Sequence, residues 1–404
     1  MVKSLFISSL LILSTTFSAH AQCNGQQYLE PVFSDTNLEE NISYGEATTI
    51  GGQTQELFLD VYDPQGDTTS IRPVIIFAHG NPFFGGSKED LEQVCRDYAV
   101  RGYVAVAIDY RPFDITLDEN TTEEQFIDWL VKAAGDMKAA VRFLRDSRSN
   151  GNPYGIGSSN FFVSGFSYGA LVALHAGIAD QTDDVGTTYL NAVQSNGGWD
   201  GNSNDLTVSS GVQAVVSYSG GLIDADWIDL ADPVILAFHD EQDPVIPFGT
   251  GTIAPDGVND ILNLDGSSIM AIRADVAGTL FQLEVNEGST EHLGYLNDTF
   301  QDGATIDESC EFYYDIICNG VLSDNIENYE SEVLLYPNPS NGIVNVDSEN
   351  PITTITVTNI SGQEIKKFSN TKQVDLTSFE NGLYYLQIEF QNGAQPSLKK
   401  VIKN

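Results

Sequence analysis

Residues 161–179, FFVSGFSYGALVALHAGIA, frame Ser167 between Gly165 and Gly169. A serine hydroxyl attacks a carbonyl only when a base removes its proton and an acid holds that base in place. Five histidines are available, and position sorts them. His20 falls in the N-terminal leader, His79 in an HG turn, and His175 within the apolar pattern after Ser167. His292, in NEGSTEHLGY after an apolar run, is the expected base. His239 is expected to be a hydrogen-bonded wall of the loop that carries Asp243. For the orienting acid, Asp243 opens D-P-V-I-P, where proline stiffens the backbone around the carboxylate, and Asp240 is the alternative. The oxyanion formed by such an attack needs backbone donors. The N–H of Tyr168 is one, and the loop at 78–90, AHGNPFFGGSKED, is expected to supply the second.

These groups converge only if the chain builds a scaffold around them. Phe161 to Ser164 read as a buried strand, and Leu171, Leu174 and Ile178 have the spacing of a helix, so Ser167 sits on the bend between the two. The two glycines remove side chains that would collide in so sharp a turn. Further strand-like runs occur at 56–62, 73–80, 103–110, 212–220, 234–240 and 280–285, several of them apolar on both faces. Helical patterns at 88–101 and 123–145 separate strands. The expectation is an α/β domain with a mostly parallel sheet, whose ligands bind in the loops after the strands.

The G-x-S-x-G elbow, the HG loop with G-G-S-K, the Tyr110-Arg111 pair, D-P-V-I-P and the last histidine follow one another in order between about 56 and 295. In this the chain resembles secreted carboxylesterases of the α/β-hydrolase fold. The resemblance implies an extracellular serine hydrolase of carboxylic esters with Ser167, Asp243 and His292 as the triad, needing no cofactor or metal. A peptidase of the same fold and a non-catalytic surface-binding protein are the competing readings. The chain departs from the family at Asn81 and Pro82, where glycines are usual. Pro82 has no N–H, which leaves Asn81 or Gly80 beside Tyr168 for the oxyanion. Phe83 of the same loop and Trp199 of NGGWDGNSND are the candidate substrate contacts. DGNSND lacks the glycine and the acidic residue of a calcium loop at positions six and twelve of that motif.

Residues 334–404 hold six Lys and six acidic residues, so the formal charge of −39 lies entirely upstream. That shift marks a domain boundary, with a leader expected at 1–21, a catalytic domain at 22–330 and a β-sandwich at 331–404. The acidic body argues against nucleic acid and anionic membrane surfaces as partners. The leader has one lysine, an apolar core and Ala19-His20-Ala21, as a signal peptide does, and no other run is long enough to span a membrane. The tail alternates β-branched runs with N-G and S-G turns. With YPNPSNG at its start and KKVIK at its end it resembles a type IX secretion sorting domain. That implies the outer-membrane export machinery as partner and a secreted or surface-attached product. Export in turn suggests a polymeric ester substrate, such as acetylated or feruloylated polysaccharide or a polyester.

Cys23, Cys95, Cys310 and Cys318 are an even number in an exported chain, so two disulfides are expected. ESCEFYYDIICNG reads as a final helix, along which Cys310 and Cys318 would be separated by about 12 Å of rise, so they are not expected to pair. The hydrolase resemblance places the helix of Cys95 beside that final helix. It therefore favours Cys95 with Cys310 and Cys23 with Cys318, the other crossed pairing staying open.

Overall fold

The computed structural model describes residues 23–319, apart from 24, 70, 84, 256–259 and 297–303, and residues 333–403, apart from 337–339, 341, 349–350, 360–363, 381 and 392–396. The expected leader and the expected boundary at 330–331 lie outside the described residues.

In chain order the body contains β1 (Thr36–Thr48), β2 (Thr54–Pro64), β3 (Arg72–Ala78), α1 (Glu92–Ala99), β4 (Val104–Ile108), α2 (Glu123–Ser149), β5 (Ile156–Phe166), α3 (Tyr168–Gly177), α4 (Gly186–Ser195), β6 (Ala214–Tyr218), β7 (Gly221–Leu222), β8 (Val234–Asp240), β9 (Thr250–Ile253), β10 (Leu262–Gly266), α5 (Ser267–Ala277), β11 (Phe281–Asn286) and α6 (Ala304–Tyr314). Eight strands form one sheet in the order β1-β2-β4-β3-β5-β6-β8-β11. The steps from β4 to β11 are parallel, and β1 and β2 are antiparallel additions. Alternation along β3 builds the layers: Val74, Ile76 and Ala78 join a core with α2 and α3, while Ile75 and Phe77 join another with α1 and α6. Helices thus cover both faces, which is why the central strands are mostly apolar on both. At the start of α2, Thr122 Oγ1 accepts the Gln125 N–H and Gln125 Oε1 accepts the Thr122 N–H, a reciprocal cap.

β1 was not foreseen from the sequence. Nor was the small sheet β7-β10-β9, which the chain builds between β6 and α5. The end of β4 is pinned by Arg111, whose guanidinium bonds the fully buried Asp136 carboxylate of α2 at 2.9–3.0 Å and the Lys132 and Thr48 carbonyls. Each guanidinium nitrogen of Arg111 has an acceptor, as burial of a charge requires.

The cysteine expectation holds in half. Cys23 and Cys318 are bridged, with Cα atoms 5.5 Å apart, whereas Cys95 and Cys310 are free and buried. α1 and α6 do pack on the same face, but they meet through Tyr98 and Ser309 hydroxyls. Cys95 lies in the field of Asp60 on β2, and Cys310 lies against Tyr103. The two thiols thus look toward different neighbours. α6 runs into a wider turn at 315–319 that carries Cys318, so Cys310 and Cys318 stay apart as the helix argument required.

The tail comprises β12 (Leu334–Tyr336), β13 (Ile343–Asp347), β14 (Ile352–Asn359), β15 (Glu364–Ser369), β16 (Gln373–Asp375), β17 (Gly382–Phe390) and β18 (Ser397–Lys403). They form antiparallel sheets β12-β13-β16 and β15-β14-β17-β18. Val344, Val374, Ile355, Leu386 and Val401 close a core that draws on both sheets. Among the described residues no helix is long and apolar enough to cross a membrane.

Candidate active site

Ser167 stands between β5 and α3 with φ 55° and ψ −123°, a backbone conformation L-residues rarely adopt. Its N–H donates to the Tyr218 carbonyl of the neighbouring β6 at 2.8 Å, which closes the elbow onto the sheet. Both flanking glycines are steric necessities. A Cβ on Gly165 would lie 2.1 Å from the Gly169 carbonyl oxygen, and one on Gly169 would lie 2.3 Å from that of Ala78.

Two loops, after β8 and after β11, bring a carboxylate and an imidazole to the serine. Ser167 Oγ donates to His292 Nε2 at 2.8 Å, and His292 Nδ1–H donates to Asp243 Oδ2 at 2.7 Å. The Asp243 side chain is fully buried, and its Oδ1 accepts the N–H groups of Val245 at 2.8 Å and Ile246 at 3.0 Å. Those two donors and the ring give three hydrogen bonds to a carboxylate that burial would otherwise penalise. Asp240, the alternative acid, does not touch the ring; it binds Asn286 and the backbone of Gly294 instead.

The other histidines are structural in their contacts. His239 accepts from Ser267 Oγ at Nδ1 and donates to the Ile246 carbonyl at Nε2, which makes it the wall of the Asp243 loop that the sequence suggested. His175 donates from Nδ1 to the Leu171 carbonyl and accepts the Ile223 N–H at Nε2; burial pushes its pKa down to about 4. His79 is also pushed down by burial, and its neutral ring donates from Nδ1 to the Gly80 carbonyl at 2.7 Å while stacking on Tyr110.

Gly80 lies beside Ser167, since a Cβ there would sit 3.5 Å from Ser167 Cβ. Asn81 follows in a left-handed conformation, φ 56°, which asparagine tolerates. Phe83 stands edge-on to the Tyr168 ring, centroids 4.9 Å apart, within an aromatic group containing Phe113, Phe126 and Trp129.

Trp199 lies in the loop between α4 and β6. It packs on Tyr189, which packs on His175 in the last turn of α3, about 12 Å of helix rise from Ser167. Its loop is a tie between β1 and α2: Asn204 Nδ2 bonds the Tyr44 and Ala139 carbonyls, and the Ser203 hydroxyl bonds Asp136. Among the described residues no cluster suited to a metal ion is present.

A serine on a strained strand-to-helix turn, engaged by histidine and aspartate from later loops of a mostly parallel sheet, defines an α/β-hydrolase. Residues 59–224 match the family BD-FAE, and residues 334–404 match the secretion system C-terminal sorting domain. The chain is a carboxylic ester hydrolase with a stretch similar to BD-FAE, and it carries a type IX sorting domain, which directs it to export and to the cell surface or the extracellular side. A comparison with curated proteins returned no match. Solved structures similar to the chain include three of esterase 2 from Thermogutta terrifontis. One, phosphoramylated by tabun, shares 19% identity over 69% of this chain and 94% of that one, with a TM-score of 0.49. The native form shares 21% identity over 69% and 92%, TM-score 0.47, and the butyrate-bound form 21% over 65% and 90%, TM-score 0.45.

Proposed function

We propose that the protein is a serine esterase acting outside the cell on polymer-linked esters. The continuous hydrogen-bond chain from Ser167 Oγ through His292 to Asp243 carries this reading. Ser167 attacks the ester carbonyl as His292 Nε2 takes its proton. The imidazolium, balanced by Asp243, returns that proton to the leaving alcohol, and an acyl-enzyme remains. Water deprotonated by the same ring then releases the acid.

The negative oxygen of each tetrahedral intermediate is assigned to the N–H groups of Tyr168 and Asn81. The Gly80 carbonyl is turned toward His79 Nδ1, and across a trans peptide the Asn81 N–H points the opposite way. Gly80 itself borders Ser167, so that N–H is the better donor of the two the sequence left open. Pro82 follows the donor rather than supplying it, which reconciles the missing N–H with an intact oxyanion site. Phe83 is assigned to the acyl-side wall through its contact with Tyr168. The division into a catalytic domain at 22–330 and a sorting domain at 331–404 is supported by their separate apolar cores.

Export supports substrates too large to enter a cell, and acetylated or feruloylated polysaccharides or polyesters are the classes to test. Stoichiometric labelling by a fluorophosphonate, lost in Ser167→Ala, together with acid release from such polymers, is the expected result. Labelling without release from any ester would favour a peptidase, and absence of labelling a binding protein.

A further inference from the structure

We propose that Asp240 is the positioning residue of His292, holding the backbone of the histidine loop while Asp243 holds its ring. The two carboxylates belong to one turn, in which the Asp243 N–H donates to the Asp240 carbonyl at 3.2 Å. Asp240 is fully buried at the end of β8. Its Oδ2 accepts the Gly294 N–H at 2.7 Å, and its Oδ1 accepts Asn286 Nδ2 at 2.7 Å, at the end of β11. Gly294 comes two residues after His292, and between them Leu293 has φ 58°. A leucine rests in that region only where its surroundings hold it. The loop is tied to the same turn twice more, by Gly288 N–H to Glu241 Oε2 at 2.7 Å and by Gln242 N–H to the Ser289 carbonyl at 2.9 Å. Those ties lie before His292, and Asp240 supplies the one after it. Without it, Leu293 relaxes to negative φ and carries His292 Nε2 away from Ser167.

The inference rests on the triad reading, and Ser167→Ala separates the two: activity in that variant defeats the reading, whereas an inactive Ser167→Ala beside an undisturbed Asp240→Ala defeats only the inference. Full-length variants are assayed on p-nitrophenyl acetate, with active sites counted by fluorophosphonate. Asp240→Ala should lower kcat by about 10- to 100-fold with KM within twofold, since misplacing a reacting group costs rate more than binding. Asp240→Asn should stay within threefold. Its oxygen still accepts the Gly294 N–H, and its amide donates to Asn286 once that side chain turns over. Leu293→Gly added to Asp240→Ala should recover most of the loss, because glycine takes that φ without strain. Gly294→Ala serves if Asp240→Ala does not fold. Its Cβ would meet Asp240 Oδ1 at 3.0 Å and Glu291 Cβ at 2.8 Å, and kcat should fall with the carboxylate still present. Parental kcat in Asp240→Ala or Gly294→Ala, or an Asp240→Asn as impaired as the alanine variant, overturns the proposal.

Discussion

Lowering the pH from 7 to 5 should destabilise the α/β body by about 2 kcal/mol through His175 alone. The ring is buried between the Leu171 carbonyl and the Ile223 N–H, with Trp227 edge-on to it at 5.7 Å, and both nitrogens are already committed. A proton on Nε2 would face the Ile223 N–H in a dry site, which is why burial brings the pKa from 6.5 down to about 4. The sign follows from which state binds the proton first. An unfolded chain protonates His175 as the pH passes 6.5 and the folded chain only near 4, so stability is lost across that window and is level above it. From 6.5 to 5 the loss is about 1.5 pH units at about 1.36 kcal/mol each, or about 2 kcal/mol.

The body also contains His79 and His239, both pushed down by burial, so the total pH dependence is steeper than one residue explains. A difference measurement isolates His175. Urea unfolding of the parent and of His175→Gln would be followed at several pH values by tryptophan fluorescence. All three tryptophans, Trp129, Trp199 and Trp227, lie upstream of the tail, so the signal reports the body alone. The variant should be the less stable at pH 7, and the gap should narrow by about 2 kcal/mol at pH 5. A gap that stays constant would show that His175 titrates normally in the folded state and would refute the buried-neutral-ring argument.

Asp243→Asn should cut kcat by about 10⁴-fold, because an amide in place of Oδ2 no longer fixes the tautomer that leaves Nε2 free to accept from Ser167; steady-state kinetics on a short ester measure it. Removing residues 334–404 should leave purified activity unchanged while abolishing release from an exporting host, and unfolding of the truncated chain would show that the tail completes the body. Reduction of Cys23–Cys318, which closes a span of 295 residues, should lower the melting temperature, with about 5 kcal/mol as the ceiling of the effect. In the native protein Cys95 and Cys310 should not react with a thiol reagent, since burial raises both pKa values, and both should react once it unfolds. Arg111→Ala should destabilise the fold by about 3–5 kcal/mol in urea titrations, because the buried Asp136 carboxylate loses its counter-charge.

The central strands and the turn that carries Ser167 were legible in the sequence because their causes are local. A strand covered on both faces is mostly apolar on both, and a serine on a sharp bend must have glycine where a Cβ would strike backbone. Elimination among five histidines leaves His239 and His292, and the closeness of His239 to Asp243 in the chain makes His292 the expected base. β1 was not legible, since it lies at the sheet edge, where one pattern of half-exposed residues looks much like another. The second disulfide failed for a related reason. Sequence order could put α1 beside α6, but whether two thiols face one another depends on helix rotation, and Tyr98 and Ser309 occupy the contact instead. For Trp199, a loop between an elbow helix and the next strand can border either end of that helix, and the packing on Tyr189 is legible only in the structure. Residue types and spacing by themselves thus determined which groups could react and on what kind of sheet. Their convergence was decided by tertiary structure, because Ser167, Asp243 and His292 lie on separate loops whose relative positions come from strand order and packing, and the same packing turned Asp240 from a rival acid into the clamp on Gly294.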